Sequence, residues 1–173
     1  MNRWPTVGSS AGLHVGPISV DVDAPAGAVY AMMTAFGDAE RPDLPADPVH
    51  GPDDELIREF STQVRLPFGL RRIIRTREAI RLVPPDAIEF RHLAGPVRGL
   101  RERIAVMSIG RGRSRVTYLG VLPRVGPLLG LAHRLLARPA MERVVRAHLA
   151  ELAERAEKET QRLTPGEAAT RST

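Results

Sequence analysis

From Glu55 to Val121 the chain is a succession of strand-like runs cut by turn chemistry, and no other part of it restricts the fold as much. The separators are Pro67-Phe68-Gly69, Pro84-Pro85-Asp86, Gly95-Pro96 and Gly110-Arg111-Gly112-Arg113. They leave strands at Leu56–Leu66, Leu70–Leu82, Ala87–Leu93, Val97–Ile109 and Ser114–Val121. Long strands joined by short turns pair with their sequence neighbours, which makes an antiparallel meander. Alternation then gives the sheet one apolar face that another element must cover.

The flanking segments supply that cover. Ile18-Ser19-Val20-Asp21-Val22-Asp23 alternates apolar and polar residues and predicts a half-buried strand. Ala24-Pro25 ends it, and proline suits a first helical turn, so a short helix is predicted from Pro25 to Phe36, burying Val29, Met32, Met33 and Phe36. Gly37-Asp38 stops that helix. Arg41 to Asp54, with Pro42, Pro45, Pro48 and Pro52, reads as a loop with a short helical turn or an edge strand near Val49. Its Asp43, Asp47, His50, Asp53 and Asp54 lack the spacing of any metal motif, and no metal site is assigned. A Leu- and Gly-rich segment, Val125 to Ala137, leads to Pro139, from which a long helix should run to about Leu163. Met141, Val145, His148, Leu149, Leu152 and Ala156 recur at spacings of three and four, a stripe that packs on the sheet.

Residues 1–13 read as a flexible leader, 14–163 as one domain and 164–173 as a disordered tail. Gly8-Ser9-Ser10-Ala11-Gly12 matches the G-x-S-x-G pattern, but it lacks the preceding strand and following helix that a nucleophile elbow requires. The absence of cysteine excludes disulfides, thiolate catalysis and cysteine-based metal sites. No P-loop or dinucleotide fingerprint is present, so no cofactor is expected. No apolar run reaches the ~18 residues of a membrane span, and the expected location is cytoplasmic.

The net charge of +5 is uneven. Met1 to Phe60 holds 3 basic and 10 acidic residues, whereas Arg65 to Arg115 holds 13 Arg against 4 acids. Such a surface can attract anionic membrane or nucleic acid. The plainer reading is a set of solvated strand faces, and the chain's 7 aromatic residues are few for the stacking platforms of a nucleic-acid binder, so no nucleic acid is expected. Leu128, Leu129, Leu131, Leu135 and Leu136 beside Arg124, Arg134 and Arg138 read either as a basic membrane-surface segment or as a short core helix. Transient contact with an anionic membrane is therefore kept as a partner reading, and the oligomeric state is left open.

Val20-Asp21-Val22-Asp23-Ala24-Pro25-Ala26-Gly27-Ala28-Val29-Tyr30, and Val116-Thr117-Tyr118 leading through Leu122-Pro123 into a Leu/Gly-rich segment and a last helix, carry a family likeness. Together with the element order, they make the chain resemble the START-like helix-grip superfamily, also called SRPBCC, which includes polyketide cyclase/dehydrase-type proteins. The resemblance implies an α+β fold in which a curved antiparallel sheet wraps a long C-terminal helix. It also implies a cavity for a hydrophobic small molecule such as a lipid or polyketide, used by some members for carriage or sensing and by others for cyclisation or dehydration. The chain departs from common members in having Trp4, in the leader, as its only tryptophan.

On the face that alternation turns inward, Leu56, Phe60, Val64, Ile74, Ile80, Ile88, Phe90, Ile104, Val106 and Val116 are apolar. Arg58, Thr62, Arg72, Thr76, Glu78, His92, Glu102, Ser108 and Tyr118 share it, and such groups are costly in a dry core unless paired. Convergent polar groups on an apolar wall suit a small-molecule site. The candidate catalytic residues are His92, Glu78 and Tyr118, with His92 or Glu78 as base and Tyr118 and Arg58 polarising a carbonyl. The candidate ligand-binding residues are Arg58, Thr62, Phe60, Arg72, Thr76, Phe90, Glu102, Ser108, Met141, Val145 and His148. The alternative is structural: Arg58 with Glu78 and Arg72 with Glu102 as ion pairs, and His92 capping a hairpin. The expected function is binding of a hydrophobic small molecule as carrier or sensor, with a metal- and nucleotide-free cyclase or dehydratase as the alternative.

Overall fold

The computed structural model describes residues 12–35, 49–50, 55–65, 71–123 and 138–163. Among these residues the elements are β1 (Gly12–Val22), α1 (Ala26–Thr34), β2 (Val49–His50), β3 (Leu56–Arg65), β4 (Arg71–Val83), β5 (Ala87–Ala94), β6 (Arg101–Gly110), β7 (Arg113–Pro123) and a C-terminal helix, here α2 (Arg138–Leu163). The strands form one antiparallel sheet in the order β1-β7-β6-β5-β4-β3-β2. The meander therefore runs in sequence order from β2 to β7, and the first strand returns to pair with the last. With α2 this is the α+β helix-grip arrangement of a curved sheet and a long helix. The Gly8–Ala11 part of the leader, most of the Arg41–Asp54 loop, Phe36, the segment from Arg124 to Ala137 and the tail lie outside the described residues.

Two boundaries differ from the sequence reading, both at glycines. β1 starts at Gly12 rather than Ile18, because Gly16-Pro17 is a bulge within the strand and not its beginning. Gly16 takes φ 89°, and residues on both sides of the bulge pair with β7. β6 starts at Arg101 rather than Val97, because the residues between fold back on themselves. Gly95 and Gly99 have φ of 103° and 87°, the Leu100 amide donates to the Val97 carbonyl at 2.9 Å, and the Gly99 amide donates to the His92 carbonyl at 2.9 Å.

The core lies between the inner face of β1, β6 and β7 and the two helices. Val15, Ile18, Val22, Val106, Val116, Tyr118 and Leu122 from the strands meet Val29 of α1 and Leu149, Ala153 and Ala156 of α2. α1 is shorter than expected; Val29 is buried, while Met32 and Met33 are half-buried. Met141, Val145 and Leu152 border the core, but His148 is exposed, which corrects its assignment to the buried stripe. At 100° per residue the stripe passes through Leu149, Ala153 and Ala156 and leaves position 148 on its flank.

α2 packs chiefly on β1 and α1 rather than across the whole sheet. Both of its ends are tied to β1. The Glu142 carboxyl is held below the usual carboxylate range, first by its hydrogen bond from Arg138 and also by the Gly16 backbone amide. The Asp23 amide donates to Glu157 Oε1 at 3.1 Å.

The arginine-rich middle falls largely on the opposite face, where cross-strand acids meet it. Arg81 and Arg103 both bond the buried Glu89, Arg91 pairs with Glu55, Arg113 with Asp23, and Arg115 with Asp21 through two hydrogen bonds. Glu89 and Glu55 are buried, whereas the Arg113–Asp23 and Arg115–Asp21 pairs are exposed and each contribute little to stability.

The difference between positions 148 and 149 is directly testable. Leu149→Ala removes a side chain that is 4% exposed and should cost about 2–5 kcal/mol by urea denaturation. His148→Ala should stay within about 0.5 kcal/mol of the parent.

Candidate functional site

The inner face carries a row of polar side chains across four strands. Cross-strand pairing sets Arg58 opposite Glu78, Phe60 opposite Thr76, Glu78 opposite His92, Phe90 opposite Glu102, and Ile104 opposite Tyr118. Side chains of directly paired residues share a face, so these residues form one surface. Glu78 meets His92 directly across the ladder, whereas His92 reaches Glu102 and Tyr118 reaches Glu102 on the diagonal, a separation that only long side chains bridge.

Glu102 is the centre of the row. Tyr118 Oη donates to its Oε1 at 2.6 Å, and its Oε2 lies 2.6 Å from His92 Nε2. On the other side of the ring, His92 Nδ1 stands 3.3 Å from Glu78 Oε1, within ion-pair range but out of line for a hydrogen bond. Thr76 Oγ1 donates to the same Glu78 oxygen at 2.6 Å. Thr76, Glu78, His92, Glu102 and Tyr118 thus form a continuous chain from β4 to β7.

Backbone irregularities place its middle. The β4–β5 register shifts between Arg77 and Glu78, with Leu93 as the extra residue on β5. On β5, the His92 amide and carbonyl bond Leu100 and Gly99 across the 95–99 turn, each at 2.9 Å. The irregularity therefore sits on β5 next to His92, whose own backbone closes the turn, while Glu78 keeps the alternation of β4. The expected hairpin role of His92 is therefore filled by its main chain, while its side chain enters the polar row.

Burial controls the protonation states. His92 and Glu78 are 7% and 8% exposed. Burial pulls the His92 pKa down, but the Glu102 hydrogen bond and the charges of Glu102 and Glu78 outweigh it, leaving the net shift upward from 6.5. Burial raises the Glu78 carboxyl above its usual 4.5, against the opposing pull of His92 and the Thr76 hydroxyl. Burial, and then the neighbouring Glu102, push the Tyr118 phenol upward, which keeps it a neutral donor. With each ring nitrogen facing a carboxylate, the imidazole is set to hold its proton. Of the two carboxyls beside it, Glu78 is the one that burial inclines to take up a proton.

Other predicted residues lie on the same face of the sheet or against the core. Arg58, Phe60 and Phe90 are half-buried on the same face, and Met141 and Val145 are half-buried on α2. Thr62 and Arg72 occupy inward register positions opposite Ile74 and Val64, and their side chains lie outside the described residues. Ser108 and His148 do not join the site. Ser108 is exposed and donates to the carbonyl of Gly110 in its own hairpin, and His148 faces outward. The bonds of Glu102 go to His92 and Tyr118, where the structural alternative had Arg72.

One group escaped the sequence reading as a site residue. Tyr30 packs against the core from α1, and its hydroxyl is buried without a hydrogen-bond partner among the described residues. The signal for it was the aromatic residue one turn into the Ala-Pro-Ala helix start. Among the described residues no cluster of three or more His, Asp or Glu side chains is arranged to hold a metal ion, and no helix is long and apolar enough to cross a membrane.

Comparison with known proteins follows the same lines. Residues 18–157 match the family described as polyketide cyclase / dehydrase and lipid transport. The fold is similar to a Thermus thermophilus protein, at 17% identity and a TM-score of 0.61 over 83% of this chain and 97% of that one. It is similar to the Zhui aromatase/cyclase of a Streptomyces species, at 18% identity and a TM-score of 0.62 over 86% and 95% of the two chains. It is also similar to a START superfamily protein from Mycobacterium smegmatis, at 14% identity and a TM-score of 0.51 over 87% and 99%. No curated protein sequence is significantly similar to it.

The His92 titration follows from this geometry. A raised folded-state pKa means that the stability His92 contributes is fully present below 6.5 and is lost as pH rises through its folded value. Glu78, also raised, acts in the same direction from 4.5 upward. The imidazole NMR midpoint of His92 should lie above 6.5, and Glu102→Gln should bring it down, because burial then meets less opposition. A midpoint that does not move in Glu102→Gln would show that this pair does not control the ring.

Proposed function

Because the chain belongs to the polyketide cyclase / dehydrase and lipid transport family, we propose that it binds a hydrophobic small molecule against the inner face of its sheet, as a carrier or sensor. The observation that carries this reading is the Thr76–Glu78–His92–Glu102–Tyr118 row, a line of polar groups on a face otherwise built of aliphatic and aromatic side chains. An apolar wall with a few oriented polar groups matches a molecule that is mostly hydrocarbon and carries an oxygen function. Phe60, Phe90, Met141 and Val145 would offer it apolar contact, and Arg58, Thr76 and Glu102, with Thr62 and Arg72 beside them, the polar contacts. The buried Tyr30 hydroxyl supports the same reading, since a donor without a protein partner costs stability unless another group satisfies it.

A second reading, a cyclase or dehydratase acting on a polyketide-like ketone, is favoured by the state of Glu78. Burial raises the Glu78 carboxyl, so it takes up a proton more readily than an ordinary carboxyl and can pass it to a carbonyl, with His92 beside it to return one. In this reading Glu78 is the acid, His92 the proton reservoir and Tyr118 the group that orients Glu102.

Mass spectrometry of the protein from its own host, native and then solvent-extracted, should find a hydrophobic molecule at near-stoichiometric amount. Tyr30→Phe should leave the urea midpoint unchanged or raised and weaken retention of that molecule about tenfold, the loss of one hydrogen bond. An empty wild-type protein, together with no affinity for any extracted lipid or ketone, would overturn the binding reading. Turnover of a ketone that Glu78→Gln abolishes without loss of affinity assigns the enzymatic reading, whereas weakened affinity without turnover assigns the carrier.

A further inference from the structure

Gly120 lies inside β7 at a position where its backbone conformation does not demand glycine. Gly16, Gly95, Gly99 and Gly112 take φ between 69° and 103°, but Gly120 is not among the positive-φ residues. Glycine in a strand interior weakens the strand and marks a place where something approaches closely. Here the approaching group is the ring of Tyr118, two residues earlier on the same strand and the same face. A Cβ at position 120 would stand 2.5 Å from Tyr118 Oη, 3.1 Å from Cζ and 3.3 Å from Cε1. The ring therefore lies along its own strand, with its polar end over the Cα of residue 120.

The register gives this its consequence. Gly120 is directly opposite Glu102 on β6, whereas Tyr118 is opposite Ile104. To reach Glu102 the phenol must cross the ladder diagonally, through the space that a side chain at 120 would fill. The glycine leaves that space open, and the hydroxyl closes on Glu102 Oε1 at 2.6 Å. On the other side of Tyr118, the β1 bulge comes so close that a Cβ on Gly16 would meet the Tyr118 carbonyl at 2.8 Å. One glycine thus admits the neighbouring backbone and the other admits the ring.

We propose that Gly120 is a positioning residue, the slot that keeps the Tyr118 hydroxyl on Glu102 and thereby sets the Glu102–His92 pair. It acts through Tyr118 and touches no reacting group. The functional weight of this inference rests on the reading that the polar row faces the ligand, but the positioning itself is measured without any ligand.

The experiment compares Gly120→Ala, Tyr118→Phe and the double variant by the NMR titration of His92, its signal assigned by loss in His92→Gln. Tyr118→Phe removes the hydroxyl without adding bulk and reports what losing the Glu102 bond does to the His92 midpoint. Gly120→Ala is expected to move the midpoint in the same direction and by the same amount, with no further movement in the double variant. An unchanged midpoint in Gly120→Ala beside a shifted one in Tyr118→Phe overturns the proposal, and so does no shift in either.

Should Gly120→Ala fail to fold, its folding in the Tyr118→Phe background supports the proposal, because the hydroxyl is then the obstacle. Failure in both backgrounds overturns it. Retention of the extracted hydrophobic molecule, measured on the same proteins, tests the binding reading separately, since wild-type protein that binds nothing leaves the midpoint comparison intact.

Discussion

The pairing of β1 with β7 holds this structure together. It joins residues roughly a hundred positions apart, from Gly12 with Pro123 to Val22 with Ser114, and without it the meander would expose its β7 edge. It also fixes the long helix, whose ends are tied to β1 at Gly16 and Asp23. The core depends on the same pairing, because Ile18 lies opposite Tyr118 and Val20 opposite Val116, so apolar residues from both ends of the chain meet over one surface. Contacts between such distant segments carry a large loop-closure cost, which the buried apolar surface must offset.

Tyr118 belongs to both halves of the inner face, and this links packing to chemistry. Its ring is part of the hydrophobic core, while its hydroxyl ends the polar row on Glu102. A carboxylate brought out of water requires donors, and Glu102 has two, a neutral phenol and an imidazole, one on each oxygen. Glu78 has the Thr76 hydroxyl and the far side of the same ring. The outer face handles buried charge differently, with Glu89 clamped between two guanidiniums that cannot lose their protons. The inner row instead depends on groups that can gain or lose one. That difference separates a structural ion pair from a site able to respond to a ligand.

Most of the fold was legible because alternation and turn residues are local signals. The strand runs from Leu56, Leu70, Ala87 and Ser114 were bounded by proline and glycine, and the structure starts those strands within one residue of the predicted positions. The inward list followed from period-two alternation, and Glu78, His92, Glu102 and Tyr118 do share a face. Legibility failed where a local signal had a non-local meaning. Alternation shows a strand only from Ile18, but long-range pairing with β7 extends it through the Gly16-Pro17 bulge to Gly12. His148 fits a three-and-four spacing, yet only packing against β1 decides which side of that stripe is buried. The partners of Glu102 could not be read at all, because both lie diagonally across the ladder and the Tyr118 contact depends on the open space at Gly120.

His92 shows what kind of chemistry the row permits. A general base must present a free lone pair to a substrate, but each nitrogen of this ring faces a carboxylate. As an imidazolium it satisfies both neighbours at once, and deprotonation would turn one of those contacts into lone pair against carboxylate. In the proposed catalytic reading the proton therefore passes through Glu78, whose carboxyl burial raises and whose Oε1 accepts the Thr76 hydroxyl. The two proposed readings, carriage and catalysis, therefore draw on the same face.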